Sequence, residues 1–200
     1  MKKPSVVLFD LGNVIVQFLP KLFWEELGLA KLGMNAPYID AVSSASRHFE
    51  KGDVTSDEYF DLLIRIFDGQ FSRRRIVDAF ASVLTAPVDG MEQIVRRVRK
   101  KAGVALVSNT NAFHIRYCMK AIPAMQEFPK MYLSYEMGVM KPDAEFYRTV
   151  LKDQRTGASS MLFIDDVQEN VDGARRAGMQ GLRFSGASEL EVSLKKLGLL

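Results

Sequence analysis

Residues 5–14 read SVVLFDLGNV, and this stretch decides the fold. Four consecutive apolar residues end at a carboxylate, Asp10, and a glycine and an asparagine follow it within three positions. A short apolar run without strict alternation is typical of a parallel strand that is covered on both faces. Sheets of such strands bind their ligands beyond the carboxyl ends of the strands, so Asp10 is a candidate site residue.

Similar apolar runs recur along the rest of the chain, and most of them end in polar residues. Besides Ser5–Phe9, they are Val104–Val107, Met131–Leu133, Met161–Ile164 and Gly181–Phe184. Helical patterns lie between them, at Val88–Lys101, Asp143–Lys152 and Asn170–Ala177. Strand–helix alternation predicts βαβ units, and therefore an α/β fold with a Rossmann-like, doubly wound parallel sheet.

The stretch from about Phe18 to Thr85 follows another pattern, with four helical segments and no convincing strand. The segments are Lys21–Leu32, Tyr38–Phe49, Thr55–Phe67 and Ser72–Leu84. This insertion leaves far more chain between Asp10 and Ser108 than the roughly 30 residues of a plain βαβ unit. We therefore predict a core domain of residues 1–17 and 86–200 and a four-helix cap of residues 18–85. The cap would gate the site on hinges near residues 16–18 and 85–89.

Composition excludes several classes of protein. The 200 residues are 48% hydrophobic and 26% charged, which is a globular balance, and no apolar run approaches the ~18–20 residues of a membrane span. A single cysteine, Cys118, fits a reducing compartment, so we predict a cytoplasmic protein. The net charge of +3 suits small anions, and we predict neither nucleic acid nor membrane as a partner. Composition leaves monomer and homodimer both open.

Polar residues at the ends of four predicted strands would meet at one edge of the sheet. They are Asp10, Ser108, Lys141 and the pair Asp165 and Asp166. Each alone has a structural explanation as a cap or turn residue, but the ordered set indicates phosphoryl transfer. A carboxylate can attack phosphorus, a lysine can neutralise charge, and carboxylates with a backbone carbonyl are hard oxygen ligands for Mg²⁺.

These motifs resemble those of the haloacid dehalogenase (HAD) superfamily of phosphatases, with a helical cap of the C1 type between the first two motifs. The motifs are FDLGNV at 9–14, VSNTN at 107–111, GVMKP at 138–142 and FIDD at 163–166. FEKG at 49–52 is also similar to caps of this kind. The nearest subgroup is that of sugar-phosphate phosphatases of the glucose-1-phosphatase type, with the phosphatase domain of soluble epoxide hydrolases more distant.

The resemblance implies roles for the residues that carry the chemistry. Asp10 would be the nucleophile, and Lys141 would steady the nucleophile and the phosphoryl charge. Phosphate would be held by residues of the first two motifs, namely Gly12, Asn13, Ser108 and Asn109. The metal would be held by the side chains of Asp10 and Asp166 and by the main-chain carbonyl of Gly12. Asp165 would bind the metal through a water molecule or contact the residues that bind it directly, and Asn170 would be an orienting residue.

The sequence departs from the family pattern at Gly12, where most members carry a second aspartate that protonates the leaving oxygen. General acid–base help is worth about 10²–10⁴-fold in rate, and the amide of Asn13 cannot supply it. Three explanations stay open: a leaving group that needs little protonation, water or another side chain as the acid, or binding without turnover. His114 is the nearby group that titrates near neutral pH, although a structural histidine is the favoured interpretation.

We therefore predict a Mg²⁺-dependent phosphatase of a small phosphorylated metabolite, with a sugar phosphate as one candidate, acting through an aspartyl-phosphate. The alternative is a catalytically impaired protein that binds phosphate or a metabolite. Cleavage of carbon–halogen or carbon–phosphorus bonds also needs no acid at position 12. The first usually dispenses with metal, against which Asp165 and Asp166 argue. The second needs a reactive cap lysine, and none of Lys21, Lys31 and Lys51 is distinguished by its surroundings in the sequence.

Overall fold

The computed structural model describes residues 2–29 and 38–200. Its strands, in chain order, are β1 (Val6–Phe9), β2 (Val16–Phe18), β3 (Leu84–Pro87), β4 (Gly103–Ser108), β5 (Met131–Leu133), β6 (Met161–Asp165) and β7 (Gln180–Arg183). Five of them form one parallel sheet in the order β5-β4-β1-β6-β7. The predicted doubly wound parallel sheet is confirmed.

The helices cover both faces of this sheet and form the insertion. In chain order they are α1 (Lys21–Glu26), α2 (Tyr38–Lys51), α3 (Ser56–Ile66), α4 (Arg73–Ser82), α5 (Met91–Arg99), α6 (Ala112–Ala121), α7 (Ser134–Met137), α8 (Ala144–Gln154), α9 (Gln168–Arg176) and α10 (Ala187–Lys196). Short 3₁₀ segments follow α6 and precede β6, at Pro123–Glu127 and Ala158–Ser160.

Strand β1 shows why the apolar runs lack alternation. Val7 and Phe9 pack into the cluster that includes α5 and α10, whereas Leu8 packs into the cluster that includes α8 and α9. Successive side chains of a strand point to opposite faces, so a sheet with helices on both faces needs apolar residues at every position. This explains why the five predicted strands were recognisable from sequence.

The register of the strands brings their carboxyl ends to one edge. Phe9 pairs with Leu106 of β4 and with Ile164 of β6, so the three strands end almost level. The N–H of Asp10 donates to the carbonyl of Ile164 at 2.9 Å. This edge is also where the strand order reverses, between β1 and its two neighbours, which is where doubly wound sheets bind their ligands.

The expectation that residues 18–85 contain no strand was wrong at both ends. Strands β2 and β3 pair antiparallel, with Val16 opposite Pro87 and Phe18 opposite Leu84. Strands of three and four residues are too short to show a period, and β3 also contains a proline, so the sequence pattern does not predict them. The ribbon lies where the hinges were placed, and the division into core (1–17, 86–200) and cap (18–85) remains our proposal.

The four predicted helices of the insertion are present, but the first is shorter than expected. Helix α1 ends at Glu26 and a turn follows at residues 27–28, because Gly28 takes a positive φ of 77°. Residues 30–32 of that predicted helix lie outside the described part of the chain. Helix α3 begins with the predicted capping box, in which Thr55 and Glu58 exchange hydrogen bonds.

The core has more helices than the sequence pattern predicted, since α6, α7 and α10 were missed. Helix α7 has only four residues, too few for a 3.6-residue period to show. Helix α9 begins at Gln168, two residues before the predicted start, and α5 begins only at Met91, after a left-handed Gly90. No helix in the described ranges is long and apolar enough to cross a membrane.

The end of helix α2 is fastened to the core. The hydroxyl of Ser134 donates to the carbonyl of Glu50 at 2.5 Å and accepts the N–H of Thr110 at 2.9 Å. Gly52, with φ of 79°, approaches the Tyr135 carbonyl so closely that a β-carbon there would lie 2.1 Å from its oxygen. Only glycine fits such a contact, so the end of α2 packs closely against α7, the helix that begins at Ser134.

Candidate active site

Lys141 lies at the centre of the site, and its ammonium group makes three hydrogen bonds there. Its ammonium donates to Asp10 Oδ1 and to Asp165 Oδ2, both at 2.7 Å, and to the carbonyl of Val107 at 3.1 Å. Lys141 is 4% exposed and Asp165 is completely buried. An ammonium has three N–H donors, and all three are used, so the two carboxylates are held in fixed positions.

The charges of this cluster depend on one another. Burial raises the pKa of Asp10, and the nearby Asp165 raises it further, while Lys141 lowers it. Burial by itself would lower the pKa of Lys141, but the two carboxylates outweigh it and hold the lysine pKa above its usual range. The lysine therefore stays an ammonium, and its positive charge lies directly beside the predicted nucleophile.

Asp165 and Asp166 have different surroundings although they are adjacent. Asp165 accepts the N–H of Val167 at 2.8 Å, and the amide of Asn170 lies 3.1 Å from each of its oxygens. Asp166 is half-buried, and within the described residues its carboxylate has one hydrogen bond, from Asn13 Nδ2 at 3.0 Å. Asn170 thus holds the carboxylate of Asp165, and its predicted orienting role in the site stays a prediction, while Asp166 retains an oxygen that can bind a ligand.

Three carboxylates converge at this edge of the sheet. One oxygen each from Asp10, Asp165 and Asp166 lies within 4.8 Å of the others. A group of carboxylate oxygens at this spacing is suited to a hard divalent cation such as Mg²⁺. The residues therefore fit the predicted metal, with Asp10 and Asp166 less enclosed by other protein donors than Asp165.

Asn13, a predicted phosphate contact, also makes hydrogen bonds within the protein. Its backbone has a left-handed φ of 54°, a region that asparagine tolerates, and its N–H donates to the carbonyl of Val16. The side chain donates to Asp166 and accepts the N–H of Phe18 at 3.0 Å. Asn13 thus ties a candidate metal ligand to the ribbon at the base of the cap, and its phosphate role stays a prediction.

Asn109 likewise holds another residue of the site. Its amide donates to the carbonyl of Lys141 and accepts the Lys141 N–H, both at 2.8 Å. This two-point clamp fixes the backbone of the loop from which Lys141 reaches Asp10. Ser108 is buried beside it, and its hydroxyl has only a long contact of 3.3 Å to the neighbouring carbonyl of Asn109. Of these two predicted phosphate-binding residues, Ser108 is therefore the one whose side chain has more hydrogen-bonding capacity left for a ligand.

His114 is a structural histidine that joins core and cap. It is buried at the start of α6, where its ring stacks on Phe80 of α4 with centroids 4.3 Å apart. Nε2 lies 3.2 Å from the carbonyl of Phe80, and Nδ1 lies 3.2 Å from the amide nitrogen of Asn111. These partners fit a neutral ring protonated on Nε2, and burial lowers the His114 pKa to about 4. The favoured structural interpretation fits this geometry.

This histidine should make the protein sensitive to acid. An unfolded histidine titrates near pH 6.5, so between about pH 6.5 and 4 the unfolded chain binds one more proton than the folded chain at this position. The free energy of unfolding is expected to fall by about 2 kcal/mol from this group between pH 7.5 and pH 5. Urea unfolding at several pH values measures this fall, because the free energy of unfolding should depend more steeply on pH in the wild type than in His114→Gln. His48→Gln, which changes an exposed histidine, is the control. Parallel slopes for wild type and His114→Gln would contradict the assignment.

A cavity of about 720 Å³ opens beside Lys141 and runs under the cap. Six aromatic side chains contribute to its wall, from the ribbon and the cap: Phe18, Phe23, Trp24, Phe49, Tyr59 and Phe80. Among its charged lining residues, Arg47 and Glu50 come from the last two turns of α2, which was predicted as a helix without any site residue. Only the FEKG similarity at residues 49–52 drew attention to this segment.

Three features of the sheet together define a class of hydrolase. A buried aspartate follows the first strand, a lysine bonds to that aspartate, and a pair of aspartates lies at the end of the fourth parallel strand. The chain belongs to the haloacid dehalogenase-like hydrolases: the model of that family matches residues 41–183. The predicted superfamily is confirmed, and the subgroup remains a prediction.

Two phosphatases and a solved HAD family enzyme are similar to this chain. D-ribitol-5-phosphate phosphatase of Bacteroides thetaiotaomicron is 26% identical over 87% of this chain and 88% of its own. Sesquiterpene phosphatase of Aspergillus oryzae is 26% identical over 96% of both chains. A HAD family enzyme from B. thetaiotaomicron, solved in complex with magnesium and inorganic phosphate, matches with a TM-score of 0.78 and 27% identity over 92% of this chain and 96% of that one. These relatives support the predicted class of phosphatase.

Proposed function

We propose that this protein is a Mg²⁺-dependent phosphomonoesterase that acts on a small phosphorylated metabolite through an aspartyl-phosphate at Asp10. The observation that carries the proposal is the buried Lys141, bonded at 2.7 Å to both Asp10 and Asp165 at the sheet edge. This lysine holds Oδ1 of Asp10, so Oδ2 is the oxygen that attacks phosphorus. The same ammonium offsets the negative charge that builds up as two anions meet.

The residues at the sheet edge divide the remaining tasks. Asp10, Asp166 and the carbonyl of Gly12 would hold Mg²⁺, with Asp165 behind them, where it fixes Lys141. When bound, the metal would neutralise charge on the phosphate and the nucleophile. The hydroxyl of Ser108 would donate to a phosphate oxygen, and the backbone beside Asn109 would complete the phosphate site.

Magnesium should raise the melting temperature of the protein because it binds the folded state alone. At a hundredfold excess over its dissociation constant, such a ligand stabilises the fold by about 2.7 kcal/mol. Thermal unfolding with and without Mg²⁺ is expected to show this shift in the wild type and in Asp89→Ala, which removes an exposed carboxylate. Asp166→Ala should abolish the shift, and an undiminished shift in that variant would refute the metal assignment.

The substrate is proposed to be a small metabolite with one phosphate. The cavity volume is in the range of ordinary small-molecule sites, and its wall joins aromatic rings to charged groups. One relative is named for ribitol 5-phosphate and another for sesquiterpenes, so polar and apolar leaving groups both occur in the family. A sugar phosphate is our first candidate, and the aromatic wall supports an isoprenoid phosphate as the second candidate.

Phosphate release from a panel of esters with Mg²⁺ tests this function. The panel contains ribitol 5-phosphate, glucose 1-phosphate, farnesyl phosphate and p-nitrophenyl phosphate. Turnover of at least one ester by the wild type, and its loss in Asp10→Asn, is the expected result. Equal rates for wild type and Asp10→Asn would refute the proposal.

The second candidate is a protein that binds phosphate without turnover, and Gly12 is the observation that favours it. It predicts that beryllium fluoride, a phosphate mimic, raises the melting temperature in the presence of Mg²⁺ while no ester of the panel is hydrolysed. Hydrolysis of any ester that depends on Asp10 would exclude it.

A further inference from the structure

The structure offers a replacement for the acid that is missing at position 12. A β-carbon on Gly12 would lie 3.6 Å from Cβ of Phe18, and Phe18 lines the cavity beside Lys141. A carboxylate at this position would therefore start from the wall of that cavity. A residue that replaces this acid has to donate its proton into the same cavity, so the candidates are the carboxyl groups that line the cavity.

Glu50 meets the geometric requirement. It lines the cavity together with Lys141 and is half-buried, and its carboxylate makes no hydrogen bond to any residue in the described part of the chain. Its backbone is fixed, because its carbonyl accepts the Ser134 hydroxyl that also binds Thr110. The cap thus delivers this carboxyl group to the site on a helix end that is fastened to the core.

The charged surroundings of Glu50 suit proton transfer near neutral pH. Burial raises the Glu50 pKa to about 7, while Arg47 on the same helix and Lys141 in the core act against that rise. Tyr59 of α3 also faces it, and the Glu50 charge contributes to the raised pKa of that phenol. The other titratable residues of the cavity wall are Lys51, His114, Asp143 and Glu169. A carboxyl group that is about half protonated at pH 7 can both give and take a proton.

We propose that Glu50 is the general acid–base residue of this phosphatase and replaces the aspartate that most of the family carries at position 12. The inference rests on the function proposed above. In the first step, Asp10 Oδ2 bonds to phosphorus, the bond from phosphorus to the leaving oxygen breaks, and the Glu50 proton passes to that oxygen. In the second step, water attacks phosphorus, gives its proton to Glu50 and releases Asp10 as a carboxylate.

Two substrates with different leaving groups distinguish a role of Glu50 in proton transfer from a role in binding or folding. An alkyl oxygen needs the proton, whereas p-nitrophenolate leaves without one. Glu50→Gln is expected to slow phosphoryl transfer from the fastest alkyl ester of the panel by about 10²–10⁴-fold. The same variant should release a first equivalent of p-nitrophenolate as fast as the wild type, in a rapid-mixing experiment, before slow hydrolysis of the phosphoenzyme. That burst also shows that the variant is folded.

The pH profile gives a second readout. For the alkyl ester, the wild-type kcat/KM should fall as pH rises past about 7, since Glu50 loses the proton that it donates. This limb should be missing in Glu50→Gln and present in Glu26→Gln, which changes an exposed glutamate of the same cap. Glu50→Asp should recover part of the lost rate, because it keeps the carboxyl group.

The possible failures can be told apart. If Glu50→Gln hydrolyses the alkyl ester within threefold of the wild type, or slows the p-nitrophenolate burst by the same factor as the alkyl reaction, the inference is overturned and the phosphatase function stands. If the wild type hydrolyses neither ester, or if Asp10→Asn matches it, the proposed function fails and the inference fails with it.

Discussion

Asp10→Asn is expected to lower turnover by about 10⁴–10⁶-fold, the loss that removal of a catalytic nucleophile typically causes. An amide oxygen does not attack phosphorus, so no covalent intermediate forms. The fold should survive, because the amide oxygen of asparagine can still accept the hydrogen bond from Lys141 that Asp10 accepts now. The variant therefore separates chemistry from structure.

The measurement combines rate with covalent trapping. Wild-type protein that is quenched in acid during turnover should carry a phosphoryl group on the peptide that contains Asp10, and Asp10→Asn should carry none. Asp89→Asn, an exposed change of the same kind, should turn over and label as the wild type does. A phosphoryl group on another residue would show that the nucleophile is misassigned even if the rates behave as expected.

The sequence predicts best the elements whose pattern is visible within a short stretch of chain. Buried parallel strands show as unbroken apolar runs, and the residue after each run lies at the ligand-binding edge by the geometry of the sheet alone. Asp10, Ser108 and Asp165 are predicted in this way, and in the structure Lys141 bonds to Asp10, to Asp165 and to the carbonyl of Val107, the residue before Ser108. The β2–β3 ribbon was missed because its strands are too short for a period to appear.

The partners of asparagine side chains could not be predicted, because they are set by tertiary contacts. The motifs imply phosphate contacts for Asn13 and Asn109, and those contacts stay predictions. The structure adds that Asn13 bonds to Asp166 and Phe18 and that Asn109 bonds to the backbone of Lys141. An amide has two donors and an acceptor that fit many partners. The motif fixes where these residues lie, and only the packed structure shows what each amide group contacts.

The cap side chains show the same limit more strongly. Periodicity identifies α2 as a helix with Val42 and Phe49 on its apolar face. Which residues of its last turn face the cavity, however, depends on how the helix packs against the core. That docking is set by the Ser134 bond to Glu50 and by the close approach of Gly52 to Tyr135. Neither contact has a signal in the spacing of apolar residues, so the sequence pattern alone does not mark Glu50.

Lys141→Met should have the largest effect on stability in the core, at a cost of about 3–5 kcal/mol in the free energy of unfolding. Methionine fills nearly the same volume, so little of the cost comes from a cavity. The loss comes from Asp10 and Asp165, two carboxylates that would remain buried without their shared cation. Turnover should also fall by at least about 10²–10³-fold, since the charge beside the reacting phosphate is gone.

Urea unfolding at fixed pH measures the stability term, with Lys152→Met on the exposed face of α8 as the matched control, expected within about 0.5 kcal/mol of the wild type. Lys141→Arg should not restore turnover, because a planar guanidinium cannot reach two carboxylates and the Val107 carbonyl with the tetrahedral directions of an ammonium. If Lys141→Met unfolds at the wild-type urea concentration, the buried carboxylates do not depend on this ion pair. The charge balance on which the proposed nucleophile rests would then be wrong, whatever the rate of the variant.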